Sequence, residues 1–164
     1  LPSWIASTPP NSAPPLLAGS VHILRFLVAD AHYAVGVARV VEVAPRVLVT
    51  PLPDTPRFIE GAFSYRRSTC VAVSVRQRLG YPARAAALDE HIIVVRGRRR
   101  LLGLIVDRAL HDEHLAAATL ESPAVPSRLV AGLVPLEDGV LLVQDVDALL
   151  TDDEERAIEA SLQG

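Results

Sequence analysis

The chain of 164 residues contains one cysteine, no lysine and no methionine, and only 4% of its residues are aromatic. The single cysteine, Cys70, excludes an intramolecular disulfide and a thiolate cage for a metal within one chain. Because Cys70 lies in an apolar run, we interpret it as a small buried residue. No apolar run approaches the roughly 20 residues that span a bilayer, so direct membrane insertion is not expected.

The first part of the chain lacks the features of a targeting signal. Residues 1–24 contain neither lysine nor arginine and are interrupted by prolines. A secretory signal requires a basic start and a continuous apolar stretch, so we expect a cytoplasmic protein. The proline content predicts a flexible leader over residues 1–20, followed by one domain over residues 21–164.

The charge balance is close to neutral. Sixteen basic residues, all of them arginine, face nineteen acidic residues and give a net charge of −3. Such a balance provides no general attraction to nucleic acid or to anionic lipid. Hydrophobic residues make up 50% of the chain, which excludes a disordered protein.

The pattern beyond Val21 is that of a mainly β protein. Short β-branched apolar segments alternate with turn residues, and no βαβ alternation occurs. We predict nine or ten strands, and the clearest hairpin has the turn Glu137-Asp138-Gly139. A capping box from Thr151 to Glu154 predicts one C-terminal helix. Closed or nearly closed barrels are the expected arrangement, because closure removes exposed strand edges.

Signals for catalysis are weak. Ser64, Ser68 and Ser74 flank a predicted strand pair, but no Gly-x-Ser-x-Gly elbow surrounds them. The chain has no glycine-rich phosphate loop. A pair of catalytic carboxylates, as in a glycosidase, is recognised by the distance between the two groups, and nothing in the sequence favours such a pair. We therefore predict no enzymatic activity and no cofactor.

One cluster of metal-ligand residue types runs from Asp107 to His114 and includes His111, Asp112 and Glu113. Zinc needs three or four converging ligands. His111 and His114 would share one face of a helix, whereas in a strand they would point to opposite faces. We interpret the segment as a solvated polar stretch and predict no metal site.

The only basic run is Arg96-Gly97-Arg98-Arg99-Arg100. Its neighbours are aliphatic, whereas a nucleic-acid site would combine positive charge with stacking aromatic side chains. We interpret the run as a solvated hairpin tip. An alternative function stays open, namely a β-barrel that binds nucleic acid or a small ligand through residues 96–100.

The order and spacing of several segments resemble the CheW-like domain, the coupling module of bacterial chemosensory systems. The resemblance covers about Val21 to Leu162. The matching segments are Phe26 to Val28, Tyr33 to Val35, Arg39 to Val43, Pro51 to Pro56, Phe58 to Arg66, Val73 to Arg76, Leu102 to Ala109, Val130 to Leu133 and Val140 to Leu150.

The resemblance implies a mainly β fold of two small five-stranded, SH3-like β-barrels side by side, with a C-terminal helix. It also implies a non-catalytic adaptor that binds the cytoplasmic tip of a chemoreceptor, the CheW-like regulatory domain of a CheA-type histidine kinase, and other CheW-like domains. By position, the receptor-facing residues are Val40 and Glu42. The arginine of the family's Asn-Leu-Arg-Gly stretch is Arg66, and we hypothesise that Arg66 pairs with Glu42. Gly61 and Arg67 complete the candidate partner-binding set.

The sequence departs from the family pattern beside Arg66. Arg67 stands where the family has glycine, and Val71 and Ser74 stand where it has proline and aspartate in the following strand. This version of the segment is similar to that of accessory CheW-like adaptors, which serve pathways such as pilus motility or cyclic-di-GMP synthesis. Loss of the glycine is expected to stiffen the turn or to block one partner.

Overall fold

A computed structural model describes residues 19–116, 119–121 and 128–163. The predicted leader therefore lies outside the described residues except for its last two positions. The described part contains ten strands: β1 (Ser20–Val28), β2 (Ala31–Gly36), β3 (Val40–Pro45), β4 (Ile59–Tyr65), β5 (Ser68–Ser74), β6 (His91–Arg96), β7 (Leu101–Val106), β8 (Arg108–Ala116), β9 (Val130–Leu136) and β10 (Gly139–Gln144). Its helices are α1 (Val75–Arg78) and α2 (Asp152–Gln163), and 3-10 turns span Val37–Arg39 and Val146–Ala148.

The strands form two five-stranded sheets with the same pattern of parallel and antiparallel pairing. The first has the order β8-β1-β2-β10-β9 and the second has the order β3-β6-β7-β5-β4. Each contains one parallel pair, β10 with β2 in the first and β5 with β7 in the second. The first barrel thus takes two strands from the start of the chain and three from its end, while the second barrel is continuous in sequence.

The predicted SH3-like pair of barrels is confirmed, although each barrel has an open seam. In the second barrel, Thr50 and Ala62 form the only bridge between the segment after β3 and β4 in the described residues. Their backbone amides and carbonyls form two hydrogen bonds of 2.8 Å. In the first barrel, Glu121 and Leu133 form the equivalent bridge. Within the described residues, the edges of each sheet are therefore joined by a single bridge.

Three apolar clusters fill the molecule. One lies inside the first barrel and includes Ile23 and Leu141, and another lies inside the second barrel and includes Ile92 and Val94. The largest cluster combines residues of both sheets, such as Phe26 and Leu104, with Ile158 of α2. Because this cluster joins the two sheets to the helix, they share one continuous core.

Helix α2 begins with the predicted capping box. The Thr151 hydroxyl accepts a hydrogen bond from the Glu154 amide at 3.1 Å, and the Glu154 carboxylate accepts one from the Thr151 amide at 2.7 Å. These bonds satisfy two backbone donors at the helix start. The chain reaches α2 directly after the last strand of the first barrel, and the ion pairs described below attach the helix to the second.

Most of the predicted polar stretch over residues 107–114 lies in β8, a strand that was not predicted from the sequence, and its side chains are exposed or half-buried. This strand pairs with β1 and forms an edge of the first sheet. Polar and charged side chains on an edge strand discourage pairing with another molecule, so the polarity of the segment is compatible with a strand.

Candidate functional site

The β4–β5 hairpin carries the arginine pair that the sequence singled out. Tyr65 and Ser68 face each other in the ladder, so Arg66 and Arg67 form a two-residue turn. Both have positive φ, 47° for Arg66 and 68° for Arg67. This is the conformation of a type I′ turn, which normally favours asparagine and glycine. Arg67 therefore adopts the left-handed conformation that a glycine would adopt with less strain.

Arg66 and Glu42 form the pair that we hypothesised. The guanidinium of Arg66 donates to Glu42 Oε1 at 2.9 Å. The Tyr65 hydroxyl donates to the same oxygen at 3.0 Å, and the Arg66 guanidinium lies 5.0 Å from the centre of the Tyr65 ring. Desolvation, followed by the hydrogen bond to Glu42, raises the pKa of Tyr65 above its ordinary value. The phenol consequently remains a hydrogen-bond donor at neutral pH.

This cluster lies at one end of a groove of about 280 Å³ on the second barrel. The groove opens between the edge strands β3 and β4, and its lining includes Ile92 and Val94 of the interior apolar cluster. Leu48, on its wall, is almost fully exposed. The groove is lined by Glu42, Ala44, Pro45, Val47, Leu48, Phe63, Ser64, Tyr65, Ile92 and Val94.

The two remaining residues of the candidate partner-binding set, Val40 and Gly61, also have structural roles. Val40 begins β3 and packs against the core shared by the barrels. Gly61 is buried in β4 with φ of +150°, and a Cβ atom there would lie 2.1 Å from the carbonyl oxygen of Thr50. Gly61 thus permits the close backbone approach that forms the seam.

The basic hairpin is largely neutralised by α2. Arg100 Nε lies 3.0 Å from Glu155, and Arg100 Nη2 lies 2.9 Å from Glu159. Arg98 and Arg99 both lie within 4 Å of Asp152, at 3.3 and 3.7 Å. Three of the four arginines in the run therefore have carboxylate partners inside the molecule, which reduces the charge available to phosphate.

The residues with metal-ligand chemistry are separated into different groups. Asp107 accepts hydrogen bonds from Arg76 at 2.6 Å and from the amide of Ala29 at 2.8 Å. His111 lies 3.5 Å from Glu113. Across the part of the chain that the structure describes, no group of three histidine, cysteine or acidic side chains is arranged to hold a metal ion.

The described helices are also short. None of them is long and apolar enough to cross a membrane.

The fold defines a two-barrel, SH3-like β protein with an apolar groove at the seam of its second barrel. The profile of the CheW-like domain family matches residues 22–154, and the chain belongs to this family. The crystal structure of the scaffolding protein TtCheW from Thermoanaerobacter tengcongensis has a TM-score of 0.75 and 25% identity, over 82% of this chain and 94% of that chain.

Characterised proteins with similar sequences include chemotaxis proteins of the same family. The chemotaxis protein CheW of Rhizobium meliloti strain 1021 is 24% identical over 152 residues, covering 90% of this chain and 98% of the relative. The chemotaxis protein CheW of Helicobacter pylori strain 26695 is 22% identical over 137 residues, covering 81% of this chain and 83% of the relative.

Sequence reasoning missed two parts of this site. Tyr65 follows Ser64 in β4, and its hydroxyl reaches Glu42 on β3 only because the sheet curls so that its two edge strands meet. The groove itself depends on the open seam, which requires knowledge of how the edge strands meet. The glycine at position 61 inside a predicted strand was the one available signal, since such a glycine marks a close backbone approach.

Proposed function

We propose that this protein is a non-catalytic, cytoplasmic adaptor that couples the tip of a chemoreceptor to the CheW-like regulatory domain of a CheA-type histidine kinase. Membership of the CheW-like family supports a chemotaxis scaffold role. The single structural observation that carries the proposal is the Arg66–Glu42 pair at the end of the apolar groove.

The composition of the groove favours protein docking over turnover of a small molecule. Of its ten lining residues, only Glu42 and Tyr65 carry a titratable side chain. A nucleophile with an adjacent base is not among them, and general acid–base chemistry needs such positioned groups. Apolar walls with a charged group at one end instead suit a protein segment that buries apolar side chains and meets Glu42 or Arg66 with its own polar groups.

We assign the receptor tip to the surface around Val40, Glu42 and Arg66, with Gly61 and Arg67 shaping the hairpin and seam. The kinase regulatory domain and other CheW-like domains are themselves of this fold, so we assign them to the edges of the barrels, where unpaired strand groups are available. Each contact of this kind is small, and repetition within an array raises the overall affinity.

The alternative function through residues 96–100 has less support. Arg98, Arg99 and Arg100 are paired with carboxylates of α2, and the residues that flank the run in sequence are aliphatic and offer no base stacking. Binding of an oligonucleotide that weakens steeply with salt would support this alternative, since phosphate contacts release counterions. Absence of binding at low salt would exclude it.

The test is a titration of the protein with two ligands from the same genome, a receptor tip fragment and the CheW-like regulatory domain of a histidine kinase. We expect both to bind, and Arg66→Ala to weaken the receptor complex while leaving the kinase complex unchanged. Arg57→Ala, at an exposed arginine before β4, is the matched control and should weaken neither.

Charge-reversal variants test whether the Arg66–Glu42 ion pair contributes to receptor binding. Glu42→Arg and Arg66→Glu should each weaken receptor binding, and the double variant should recover part of the loss if the pair acts as a unit. Arg67→Gly restores the glycine of the family pattern, and it tests whether Arg67 alters binding of the receptor tip or of the kinase regulatory domain. Folded protein that binds neither ligand in any variant would overturn the proposed function and leave the fold unaffected.

A further inference from the structure

The groove of the second barrel leaves large apolar side chains in contact with solvent. Leu48 has 97% of its surface exposed and Val47 has 40%. Both line the groove together with the aromatic rings of Phe63 and Tyr65. Contiguous apolar surface of this kind marks a site that another segment covers. The groove therefore suits a segment that carries at least one large apolar side chain.

One end of the groove also offers a hydrogen-bond acceptor. The hydroxyl of Tyr65 and the guanidinium of Arg66 both donate to Oε1 of Glu42, which leaves Oε2 open to a further donor. Glu42 keeps 40% of its side chain exposed, so this oxygen is accessible. A carboxylate oxygen only accepts hydrogen bonds, and an indole N–H only donates them. Tryptophan combines a large apolar surface with this single donor, and it matches both features of the groove.

The leader contains the only tryptophan of the chain. Residues 1–18 include no charged side chain, and Trp4 is followed directly by the apolar Ile5. An uncharged segment suits an apolar groove, because docking then leaves no charge buried without a partner. The prolines of the leader restrict the free chain, which reduces the conformational entropy lost on docking.

The leader is long enough to reach the second barrel. The described chain begins at Gly19, and β1 begins at Ser20 in the first barrel. Trp4 lies 16 residues before Ser20. At the polyproline II rise of about 3.1 Å per residue this segment spans about 50 Å. A domain of this size has a diameter of about 40 Å, so Trp4 can reach the groove without displacing β1.

We infer that Trp4 and Ile5 bind in the groove of their own chain, with the indole N–H donating to Glu42, and that the leader is an autoinhibitory segment. The tether favours the chain's own leader over that of a second copy, because a short flexible linker gives an effective concentration in the millimolar range. A docked leader covers the surface assigned to the receptor tip, so the two compete. This competition rests on the proposed function, whereas the docking of Trp4 does not.

Tryptophan fluorescence of the full chain tests the docking, because Trp4 is the only tryptophan. Compared with a synthetic peptide of residues 1–18, we expect the protein to emit at shorter wavelength and to resist quenching by acrylamide. Leu48→Ser should move the emission toward that of the peptide. Leu88→Ser is the matched control, since Leu88 is equally exposed but does not line the groove, and its emission should equal that of the native protein.

Three results would overturn the docking. The first is native emission and quenching equal to those of the peptide. The second is a short-wavelength emission that persists in Leu48→Ser, which would mean that Trp4 is buried elsewhere. The third is an emission shift that grows with protein concentration, which would mean that the leader of a second copy fills the groove.

Competition is measured by titration with the receptor tip fragment. Trp4→Ala should bind it up to about tenfold more tightly, because an occupied groove reduces the apparent affinity by the fraction of molecules in which it is open. Asn11→Ala, in the same leader, is the control and should bind as the native protein does. Equal affinity in Trp4→Ala and the native protein would overturn the autoinhibitory role. A fragment that binds no variant would contradict the proposed function instead, and the fluorescence result for Trp4 would stand.

Discussion

The guanidinium of Arg39 binds the carboxylate of Asp147 through two hydrogen bonds of 2.7 and 2.6 Å. Arg39 precedes the first strand of the second barrel, whereas Asp147 follows the last strand of the first barrel. The pair therefore joins the two barrels beside their shared core. The paired geometry depends on the planar guanidinium, which matches both oxygens of a carboxylate.

We expect Arg39→Lys to lower the free energy of unfolding by about 1 kcal/mol, because an ammonium group cannot form the two parallel bonds. Chemical denaturation measures the change. The matched control is Arg156→Lys, since Arg156 pairs with Asp153 on the exposed side of α2. An exposed pair contributes little, so the control should be unchanged. Equal losses in the two variants would contradict the assigned role of Arg39.

Arg67→Gly should raise the free energy of unfolding by about 1 kcal/mol, because glycine adopts positive φ without the steric penalty of a side chain. Denaturant unfolding gives the value. Arg57→Gly is the control, because Arg57 is not among the described residues with positive φ. That variant should be neutral or less stable. A loss of stability in Arg67→Gly would mean that the arginine side chain stabilises the turn by more than the strain.

Gly61→Ala should destabilise the protein by more than about 2 kcal/mol, because the new methyl group would overlap the Thr50 carbonyl and open the seam. Gly139→Ala provides the comparison, since Gly139 has a similar φ of +147° with nothing within 4 Å of its Cβ position. The difference between the two variants isolates the clash from the backbone strain. Similar melting temperatures for both would show that the Thr50 contact relaxes easily.

The attachment of α2 to the basic hairpin should weaken in acid. The hydrogen bond from Arg100, followed by its charge, lowers the pKa of Glu159 below its ordinary value of 4.5. A carboxylate with a lowered pKa in the folded state stabilises the protein above its unfolded pKa. That contribution is lost as the pH falls through the folded pKa.

The melting temperature of the native protein should therefore fall more steeply below pH 4.5 than that of Glu159→Gln. Glu137→Gln, in the turn between β9 and β10, is the control and should follow the native curve. If Glu159→Gln and the native protein have parallel curves, Glu159 does not contribute to the acid sensitivity.

Local signals in the sequence predicted much of the fold. The hairpin between β9 and β10 and the Thr151 capping box were confirmed, because each depends on residues close together in the chain; the turn itself is Glu137-Asp138, and Gly139 begins β10. Strand β8 was missed, because its polar side chains on an edge of the sheet do not show the apolar alternation of a half-buried strand. The Arg66–Glu42 pair was hypothesised from the family resemblance, since the sequence alone does not show that the edge strands β3 and β4 meet when the sheet curls.

The pairing between residues 98–100 and α2 was also beyond the sequence. Arg100 and Glu155 are far apart in the chain, and their contact depends on α2 lying against the second barrel. The basic run was interpreted as a solvated hairpin tip, because its neighbours in sequence are aliphatic and do not indicate a partner for it.

The most direct test of coupling is analytical ultracentrifugation of the protein with a receptor tip fragment and a kinase regulatory domain together. If the protein is an adaptor, we expect a ternary complex that sediments faster than either binary complex. Arg66→Ala should release the receptor fragment while the kinase domain stays bound. Mutually exclusive binding, with receptor and kinase displacing each other from the same surface, would contradict the proposed function.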